Sequence, residues 1–564
     1  MGFGHMKIVY VRIENWRSIK SVEFSPADVT VLVGSNNAGK TNILSAINFI
    51  LGDRWPMPAN LQDSDYYSGD RTREIVISLY LDHPMYSRID FNTSRAQYVL
   101  QAFDRSQNVV RGFNNAMREE IAFAYVDAAR NFERQFSVSR WSLFGQALRS
   151  LHTSLKDDAP RLADLRDKLD AAHGLLKTDH YGRFEKALRE AFADQLKTAN
   201  YDVKFEFRSI DETNLYRGLY PTLVEGESPR NPLEVGSGVR NLLVLALFQA
   251  FAKTFRGDAV LGIEEPELYL HPHAQRSLMR QFDDLASAGN QIFISSHSPF
   301  FLDVTRSDRI ILVDRKSDDE DEVCTQVRTS TPKALLELRK ALHPEMNITL
   351  ESLRAFLRNV QNPAMSEAFF AKLCILVEGP SESEALPIYA RHLGFPLDER
   401  GVSIIAAGGK TALDTLQHIY LAHKVPTYLM FDNDDGLKSD DKKYNRVLCR
   451  LLEIDETDSP DRVISDDFAI LGGDWEKETE RGIEPEHPGL YAQLVGEARS
   501  TLGLPPNRNK PLVARYVAQS LVDRRIVPPF VVEIIEKLKV KTGSASLTPL
   551  RENEASADPF ADLF

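Results

Sequence analysis

The chain has 564 residues, 43% hydrophobic and 26% charged, an ordinary globular composition that suffices for about three or four domains. It contains no apolar run long enough (roughly 18 residues) to span a membrane, and its N-terminus lacks the pattern of a secretion signal, so we expect a cytoplasmic protein. The three widely separated cysteines exclude a disulfide framework and a cysteine zinc site. With a formal net charge of −13, any DNA-binding surface must be a local basic stripe rather than the whole protein.

The first strand–loop–helix pattern carries a phosphate-binding motif. A short apolar strand is predicted at Val29–Val33, and an apolar helix at Ile43–Leu51. The segment between them, Gly34–Thr41, matches G-x-x-x-x-G-K-T, in which the glycines allow backbone N–H groups to face phosphates. The lysine of this motif reaches the β- and γ-phosphates and its threonine ligates Mg²⁺. We therefore predict nucleotide contacts from Gly34, Asn37, Gly39, Lys40 and Thr41.

Acidic residues for the same site are predicted at the end of a later buried strand, Val260–Ile263, where Glu264-Glu265-Pro266-Glu267 follows. We predict that Glu264 supports the metal ion and that Glu265 orients the attacking water as general base. His297 comes directly after the next predicted strand, a position typical of a residue that contacts the γ-phosphate.

A Gly-Ser-Gly turn opens an apolar helix between these motifs. The order of motifs resembles the ABC-type ATPase family, and this resemblance implies that Ser237 and Gly238 contact ATP bound to the opposite protomer, so that the protein must dimerise. A plain helix start is the alternative interpretation of this turn. Gln62 is a weak candidate for the family's Q-loop, and leucines at helical spacing in residues 132–200 predict a helical insert that is a plausible dimer surface.

A second alternating strand–helix block begins near residue 369, and polar residues follow its strands. The strands are predicted at Leu373–Val377, Val402–Ala406 and Thr427–Phe431, and the second ends in Gly408-Gly409-Lys410. Because the carboxyl ends of parallel strands meet at one edge of a sheet, the acidic residues there are expected to converge on hard divalent cations. The predicted metal ligands are Glu378, Glu382, Asp432 and Asp434.

This block resembles the Toprim domain of topoisomerases, primases and certain nucleases. The combination of the two blocks resembles the OLD (overcoming lysogenization defect) family of ATP-dependent nucleases, to which the large subunit of the Gabija antiphage system is related. The resemblance implies that Glu476 helps to hold a second metal ion, with Asp474 and Glu480 as rivals. It also implies that Lys510 stabilises charge on the scissile phosphate and that Glu378 takes part in catalysis.

The implied fold is α/β, with an N-terminal ABC-type P-loop ATPase that carries the helical dimerisation insert, followed by a Rossmann-like Toprim domain with C-terminal helices. The expected boundaries are ATPase 6–131 and 201–331, insert 132–200, helical connector 332–368, Toprim nuclease domain 369–540 and a disordered tail 541–564. A further strand is predicted at Val203–Phe207.

We therefore expect an ATP-binding, metal-dependent DNA endonuclease of phage defence or DNA processing. Its expected cofactors are ATP and Mg²⁺ or Mn²⁺, with Ca²⁺ able to bind in place of the active metal. Its expected partners are DNA, a homodimer or higher homo-oligomer formed through the ATPase domain, and by family analogy a helicase. Two alternatives stay open: a RecF- or SMC-like DNA-binding ATPase without nuclease activity, and a Toprim nucleotidyl transferase.

Overall fold

The computed structural model describes residues 6–52, 54–95, 99–121, 123–139, 142–195, 219–225, 228–254, 259–318, 321–360, 363–435, 442–505 and 508–543. The chain forms two compact units. The first comprises Met1–Leu32, Asn36–His297 and Val313–Val327, and the second comprises Val33–Ser35, Ser298–Leu312 and Arg328–Phe564. The strand predicted at 203–207 and residues 544–564 of the tail predicted to be disordered at 541–564 lie outside the described residues.

The described strands up to residue 329 form two larger sheets and a hairpin. They are β1 (Lys7–Trp16), β2 (Ile19–Phe24), β3 (Val29–Val33), β4 (Val76–Asp82), β5 (Arg88–Asn92), β6 (Leu100–Phe103), β7 (Phe123–Val126), β8 (Leu223–Glu225), β9 (Ser228–Arg230), β10 (Val260–Glu264), β11 (Gln291–Ser296), β12 (Ile310–Ser317) and β13 (Val323–Thr329). An antiparallel sheet has the order β2-β1-β4-β5-β6, and a six-stranded sheet has the order β13-β12-β3-β11-β10-β7. Every residue of β3, β10 and β11 is buried, as expected for strands that are covered on both faces.

The helices of the first unit are α1 (Lys40–Leu51), α2 (Asn115–Glu119), α3 (Phe132–Gln135), α4 (Leu143–Asp157), α5 (Ala159–Leu176), α6 (Asp179–Gln195), α7 (Ser237–Thr254) and α8 (Pro272–Ser287). Helices α3 to α6 lie where the leucine spacing predicts a helical insert. Helix α5 buries none of its residues, and Leu175 near its end is 84% exposed. A role for this insert in dimerisation stays a prediction.

The second unit is built on a five-stranded sheet with strands β14 (Leu373–Val377), β15 (Val402–Ala406), β16 (Thr427–Asp432), β17 (Val463–Ile464) and β18 (Phe468–Leu471). The order is β15-β14-β16-β18-β17; the first four strands are parallel and β17 is antiparallel to β18. In this register Val377 pairs with Ala406 on one side and with Met430 on the other, so these strands end at the same edge of the sheet. That edge carries the acidic residues.

Helices pack around this sheet, and the apolar faces of the last ones complete its core. They are α9 (Pro332–Leu342), α10 (Leu350–Val360), α11 (Pro363–Glu367), α12 (Pro380–His392), α13 (Leu397–Arg400), α14 (Lys410–Ala422), α15 (Lys442–Leu451), α16 (Trp475–Ile483), α17 (Leu490–Leu502), α18 (Lys510–Asp523) and α19 (Pro529–Lys541). Leu386 of α12, Val517 of α18 and Ile534 of α19 are buried in one cluster with the β14 and β16 side chains. In the described part of the chain, we find no helix with the length and apolar character that crossing a lipid bilayer demands.

Candidate nucleotide and metal sites

The phosphate-binding loop lies at the junction of β3 and α1, as the motif predicts. Asn37 and Gly39 have left-handed backbone conformations, with φ of 63° and 112°. A Cβ atom at Gly39 would lie 2.2 Å from Thr325 Oγ1, so both the backbone conformation and the available space require glycine there. Lys40 is buried, and burial lowers its pKa to about 8, although Glu265 and other nearby carboxylates favour its charged form. Thr41 is exposed at the start of α1.

Glu264 is the last residue of β10 and is only 4% exposed. Its Oε2 accepts a hydrogen bond from Ala128 N at 3.1 Å, whereas its Oε1 is buried and has no hydrogen-bond partner among the described residues. Burial, and then the charge of Glu264, raise the pKa of Tyr125. A buried carboxylate oxygen without a donor fits a nearby cation, consistent with the metal-supporting role predicted for Glu264.

Glu265 follows with a left-handed φ of 43°, and its backbone is held by a residue that the sequence analysis did not single out. Arg130, 2% exposed, donates from Nη2 to Glu265 O at 2.6 Å and from Nη1 to Leu268 O at 3.3 Å. By donating to these two carbonyl oxygens, the guanidinium fixes the turn after β10 and with it the backbone of Glu265, the predicted general base. No local motif marks Arg130, because the contact joins residues 135 positions apart.

His297 lies just after β11, and Glu267 connects it to the turn after β10. Glu267 Oε1 accepts hydrogen bonds from His297 N at 2.6 Å and from Ser296 Oγ at 3.0 Å. Burial, followed by the charge of Lys40, lowers the pKa of His297, so its neutral form is favoured. The sequence analysis placed Glu267 in the acidic segment Glu264-Glu265-Pro266-Glu267 but assigned it no role; its contacts with Ser296 and His297 come from the structure.

The predicted signature turn opens α7, which begins at Ser237. Ser237 is exposed and lines a cavity of about 440 Å³ together with Arg130 and Arg240. A Cβ atom at Gly238 would meet no atom within 4 Å, so this helix start is open to a ligand. Gln62 lines a different cavity, of about 800 Å³, beside Asn42 of α1, and its assignment to a Q-loop stays a prediction.

In the second unit the predicted acidic residues gather at the carboxyl edge of the parallel strands. Glu378 directly follows β14, Glu382 lies in the first turn of α12 and is 3% exposed, and Asp432 ends β16. Burial, and then the charges of Glu378 and Glu476, raise the pKa of Glu382 to about 8. Burial, and then Glu382 and Glu378, raise the pKa of Asp432 well above its usual range. These acids therefore lie close enough to repel one another.

Asp434 is held in place by its neighbour Asn433. Asp434 has a left-handed φ of 54°, and its N–H donates to Gly473 O at 3.2 Å. Asn433 Oδ1 accepts from Gly473 N at 2.7 Å and from Asp435 N at 2.9 Å, while its Nδ2 donates to Pro460 O at 2.9 Å. The middle residue of Asp-x-Asp, which the sequence analysis left unassigned, thus fixes the backbone between Asp432 at the end of β16 and Asp434 in the loop that follows.

A buried lysine, also not predicted as a site residue, faces this acidic cluster. Lys410 Nζ contacts Asp434 Oδ2 and lies 3.9 Å from Glu378 Oε2. Among the residues that the structure describes, no three His, Cys, Asp or Glu side chains are placed to enclose one metal ion in this conformation. Asp432 Oδ1, however, is buried without a hydrogen-bond partner in the described part of the chain, and the mutual repulsion of the acids favours a divalent cation. The donor set therefore fits hard oxygen-ligated ions.

The residues that family resemblance suggested for a second metal ion and for charge stabilisation lie beside this cluster. Ser381 Oγ donates to Glu476 Oε1 at 3.0 Å, and Lys510 Nζ lies 3.6 Å from Glu476 Oε2 and 3.7 Å from Asp474 Oδ2. Partial burial opposes the charged form of Lys510, but Glu476 and Asp474 outweigh it and raise the pKa of this lysine. Asp474 also caps α16 through Lys477 N, and Glu480 is exposed on that helix. The contacts thus favour Glu476 and Asp474 over Glu480 as neighbours of the cluster.

Comparison with known proteins adds family relationships to this geometry. Residues 29–303 match an AAA domain family (AbiEii toxin, Type IV TA system), and residues 369–434 match the family described as overcoming lysogenization defect protein-like, TOPRIM domain. The second range contains Glu378, Glu382, Asp432 and Asp434.

Three curated relatives align with most of the chain. The OLD nuclease of Thermus scotoductus is 28% identical over 449 residues, which is 75% of this chain and 81% of that protein. Endonuclease GajA of Bacillus cereus is 23% identical over 545 residues, covering 87% of this chain and 86% of GajA. The Old nuclease of Escherichia phage P2 is 21% identical over 471 residues, covering 76% and 77% of the two chains. The protein therefore joins an ATPase domain of the AAA/ABC type to an OLD-like TOPRIM domain, which confirms the resemblance to the OLD family that its motifs predict.

Proposed function

We propose that the protein is an ATP-binding and ATP-hydrolysing, metal-dependent DNA endonuclease. The observation that carries this proposal is the edge of the parallel sheet, where buried carboxylates that repel one another lie beside a partly exposed lysine. The names of the aligned relatives, nuclease and endonuclease, support the same activity. The resemblance to the OLD and Gabija proteins extends the proposal to phage defence.

At the TOPRIM site, Glu378, Glu382, Asp432 and Asp434 would hold one divalent ion, and Glu476 would help to hold a second. Such ions supply Lewis acidity and a water of lowered pKa for attack on a phosphodiester. The loop of Asn433 positions two of the carboxylates, and Ser381 orients Glu476 by its hydrogen bond.

Lys510 is suited to the substrate side of this site. Its side chain is 63% exposed, yet its Nζ lies 3.6 Å from Glu476 Oε2. Lys510 can therefore contact a phosphate bound from solvent while it stays beside the acidic residues of the sheet edge. A cation there would stabilise the negative charge that develops on the scissile phosphate.

In the ATPase unit, Lys40 and the backbone of the loop would bind the phosphates, with Thr41 and Glu264 supporting Mg²⁺. Glu265 would orient the attacking water, and the neutral imidazole of His297 would contact the γ-phosphate. Ser237 is exposed at the start of α7, where it is accessible to ATP bound by a second copy of the chain. We therefore propose a homodimer that closes around ATP, with DNA as the substrate of the TOPRIM unit.

The test is nicking of supercoiled plasmid with the metal ion and ATP varied independently. The double variant Asp432→Ala/Asp434→Ala is expected to lose Mg²⁺- or Mn²⁺-dependent nicking. The matched control, Asp466→Ala/Asp467→Ala, removes two exposed aspartates of the same unit that pair with surface lysines, and it should nick like the wild type.

Nicking that survives in Asp432→Ala/Asp434→Ala would refute the assigned site. ATP-dependent DNA binding by the wild type without cleavage under any metal condition would instead indicate a RecF- or SMC-like ATPase. Incorporation of nucleotides into a product would indicate a nucleotidyl transferase.

A further inference from the structure

Lys410 is the first residue of α14. The two glycines before it have φ of 81° and 130°, and Gly409 N donates to Glu378 O at 2.9 Å. This backbone contact fixes the start of α14 against the end of β14. The Lys410 side chain is fully buried, with 0% exposure, so its ammonium group points into the protein rather than toward solvent or substrate.

The charges around Lys410 are strongly unbalanced. Among the residues that the structure describes, six carboxylates act on one another or on a neighbouring lysine: Glu378, Glu382, Asp432, Asp434, Asp474 and Glu476. The lysines in contact with these six are Lys410 and Lys510. Only Lys410 is buried among the acids; Lys510 lies at the exposed rim with 63% of its side chain accessible. A buried ammonium group is tolerated only where it is paired, and its partners here are Asp434 and Glu378, two of the proposed metal ligands.

We propose that Lys410 is an internal cation that holds Asp434 and Glu378 together in the metal-free protein and competes with the divalent ion for Asp434. This inference rests on the proposed metal site of the nuclease. Two cations drawn to one carboxylate repel each other, so loading of the site exchanges the Lys410–Asp434 contact for a metal contact. Lys410 is thus a positioning residue that sets the affinity of the site for metal and keeps its acids together until metal arrives.

The test compares metal-free and Mn²⁺-loaded full-length protein without nucleotide. Lys410→Met keeps the length of the side chain and removes its charge. In EDTA we expect its melting temperature to fall by about 5 °C or more, because a buried ion pair is broken. In calorimetric titration with Mn²⁺ alone we expect its affinity to rise about tenfold or more, since the competing charge is gone. Lys410→Arg keeps the charge and should bind Mn²⁺ nearly as the wild type does.

Loss of packing alone cannot tighten metal binding, so a rise in affinity would identify the charge of Lys410 as the competitor. A folded Lys410→Met variant whose affinity for Mn²⁺ is unchanged or weaker would overturn the inference, because the competing charge is then without effect on metal binding. If this variant is unfolded in EDTA, the inference requires Mn²⁺ to restore its circular dichroism spectrum, and failure to do so would overturn it as well. Failure of the proposed function looks different: the wild type would then neither bind Mn²⁺ nor nick DNA.

Discussion

His418 gives the stability of the second unit a pH dependence whose size follows from the structure. It lies on α14, is 4% exposed, and its Nδ1 is buried with no hydrogen-bond partner among the described residues. The charged and titratable groups that act on it are Arg339, Asp414 and His343. Burial, and then the charge of Arg339, lower the pKa of His418 to about 4, so the folded protein holds a neutral imidazole.

In the unfolded chain this histidine titrates near its ordinary pKa of about 6.5. Between the two pKa values the unfolded state binds more protons than the folded state, so stability falls as the pH falls from above 6.5 toward 4. Linkage gives a loss of about 2 kcal/mol between about pH 7.5 and pH 5. His418→Leu removes the titrating group and should keep that part of the stability.

The measurement is urea unfolding of wild type and His418→Leu at both pH values, followed by tryptophan fluorescence, to which buried Trp475 of the second unit contributes together with the three other tryptophans of the chain. The dependence of the unfolding free energy on urea concentration should be the same for both proteins, which shows that the same surface unfolds. If both proteins lose the same free energy of unfolding on acidification, His418 is not held neutral by its surroundings and the reasoning is wrong.

Three further outcomes follow from the described contacts. Asp414→Asn should lower the free energy of unfolding by about 3 kcal/mol at neutral pH, because it leaves the buried Arg339 without its ion-pair partner. Glu456→Gln, which removes the exposed ion pair with Arg450, should have little effect in the same urea experiment. Gly39→Ala should weaken binding of a fluorescent ATP analogue more than tenfold through the overlap described above, whereas Gly174→Ala, where an added Cβ meets nothing within 4 Å, should bind normally. Glu265→Gln should slow phosphate release by about 100-fold or more while ATP binding persists, and an unchanged rate would remove Glu265 as the general base.

The Asp414 experiment also bears on how the connector helix α9 is joined to α14. Asp414 Oδ2 lies 2.7 Å from His343 Nε2 and 2.8 Å from Arg339 Nη1, the latter an ion pair rather than a well-aligned hydrogen bond. Burial raises the pKa of Asp414, but the His343 hydrogen bond and the charge of Arg339 outweigh it and lower that pKa overall. Its stabilising effect is therefore present above its unfolded pKa and is lost as the pH falls through the folded one.

The sequence by itself determined the features that depend on neighbouring residues. The loop Gly34–Thr41 needs only a strand, its own glycines and a helix start, all within one short segment. The acids after β14 and β16 were predicted because parallel strands bring their carboxyl ends to one edge whatever their order in the sheet. Pro511, in the first turn of α18, is likewise a local signal for the start of a helix.

The tertiary structure alone decided which distant side chains meet. Ser381 and Glu476 are 95 positions apart, and Arg130 and Glu265 are 135 apart, so no spacing rule links them. The strand order β15-β14-β16-β18 places the glycine-led start of α14 against Glu378 and the loop of Asn433 against Gly473. From the sequence alone, a lysine such as Lys410 is expected on the surface. It is instead buried beside Asp434 because this strand order brings the two residues together. Long-range packing, not local propensity, decides which charged groups are removed from water.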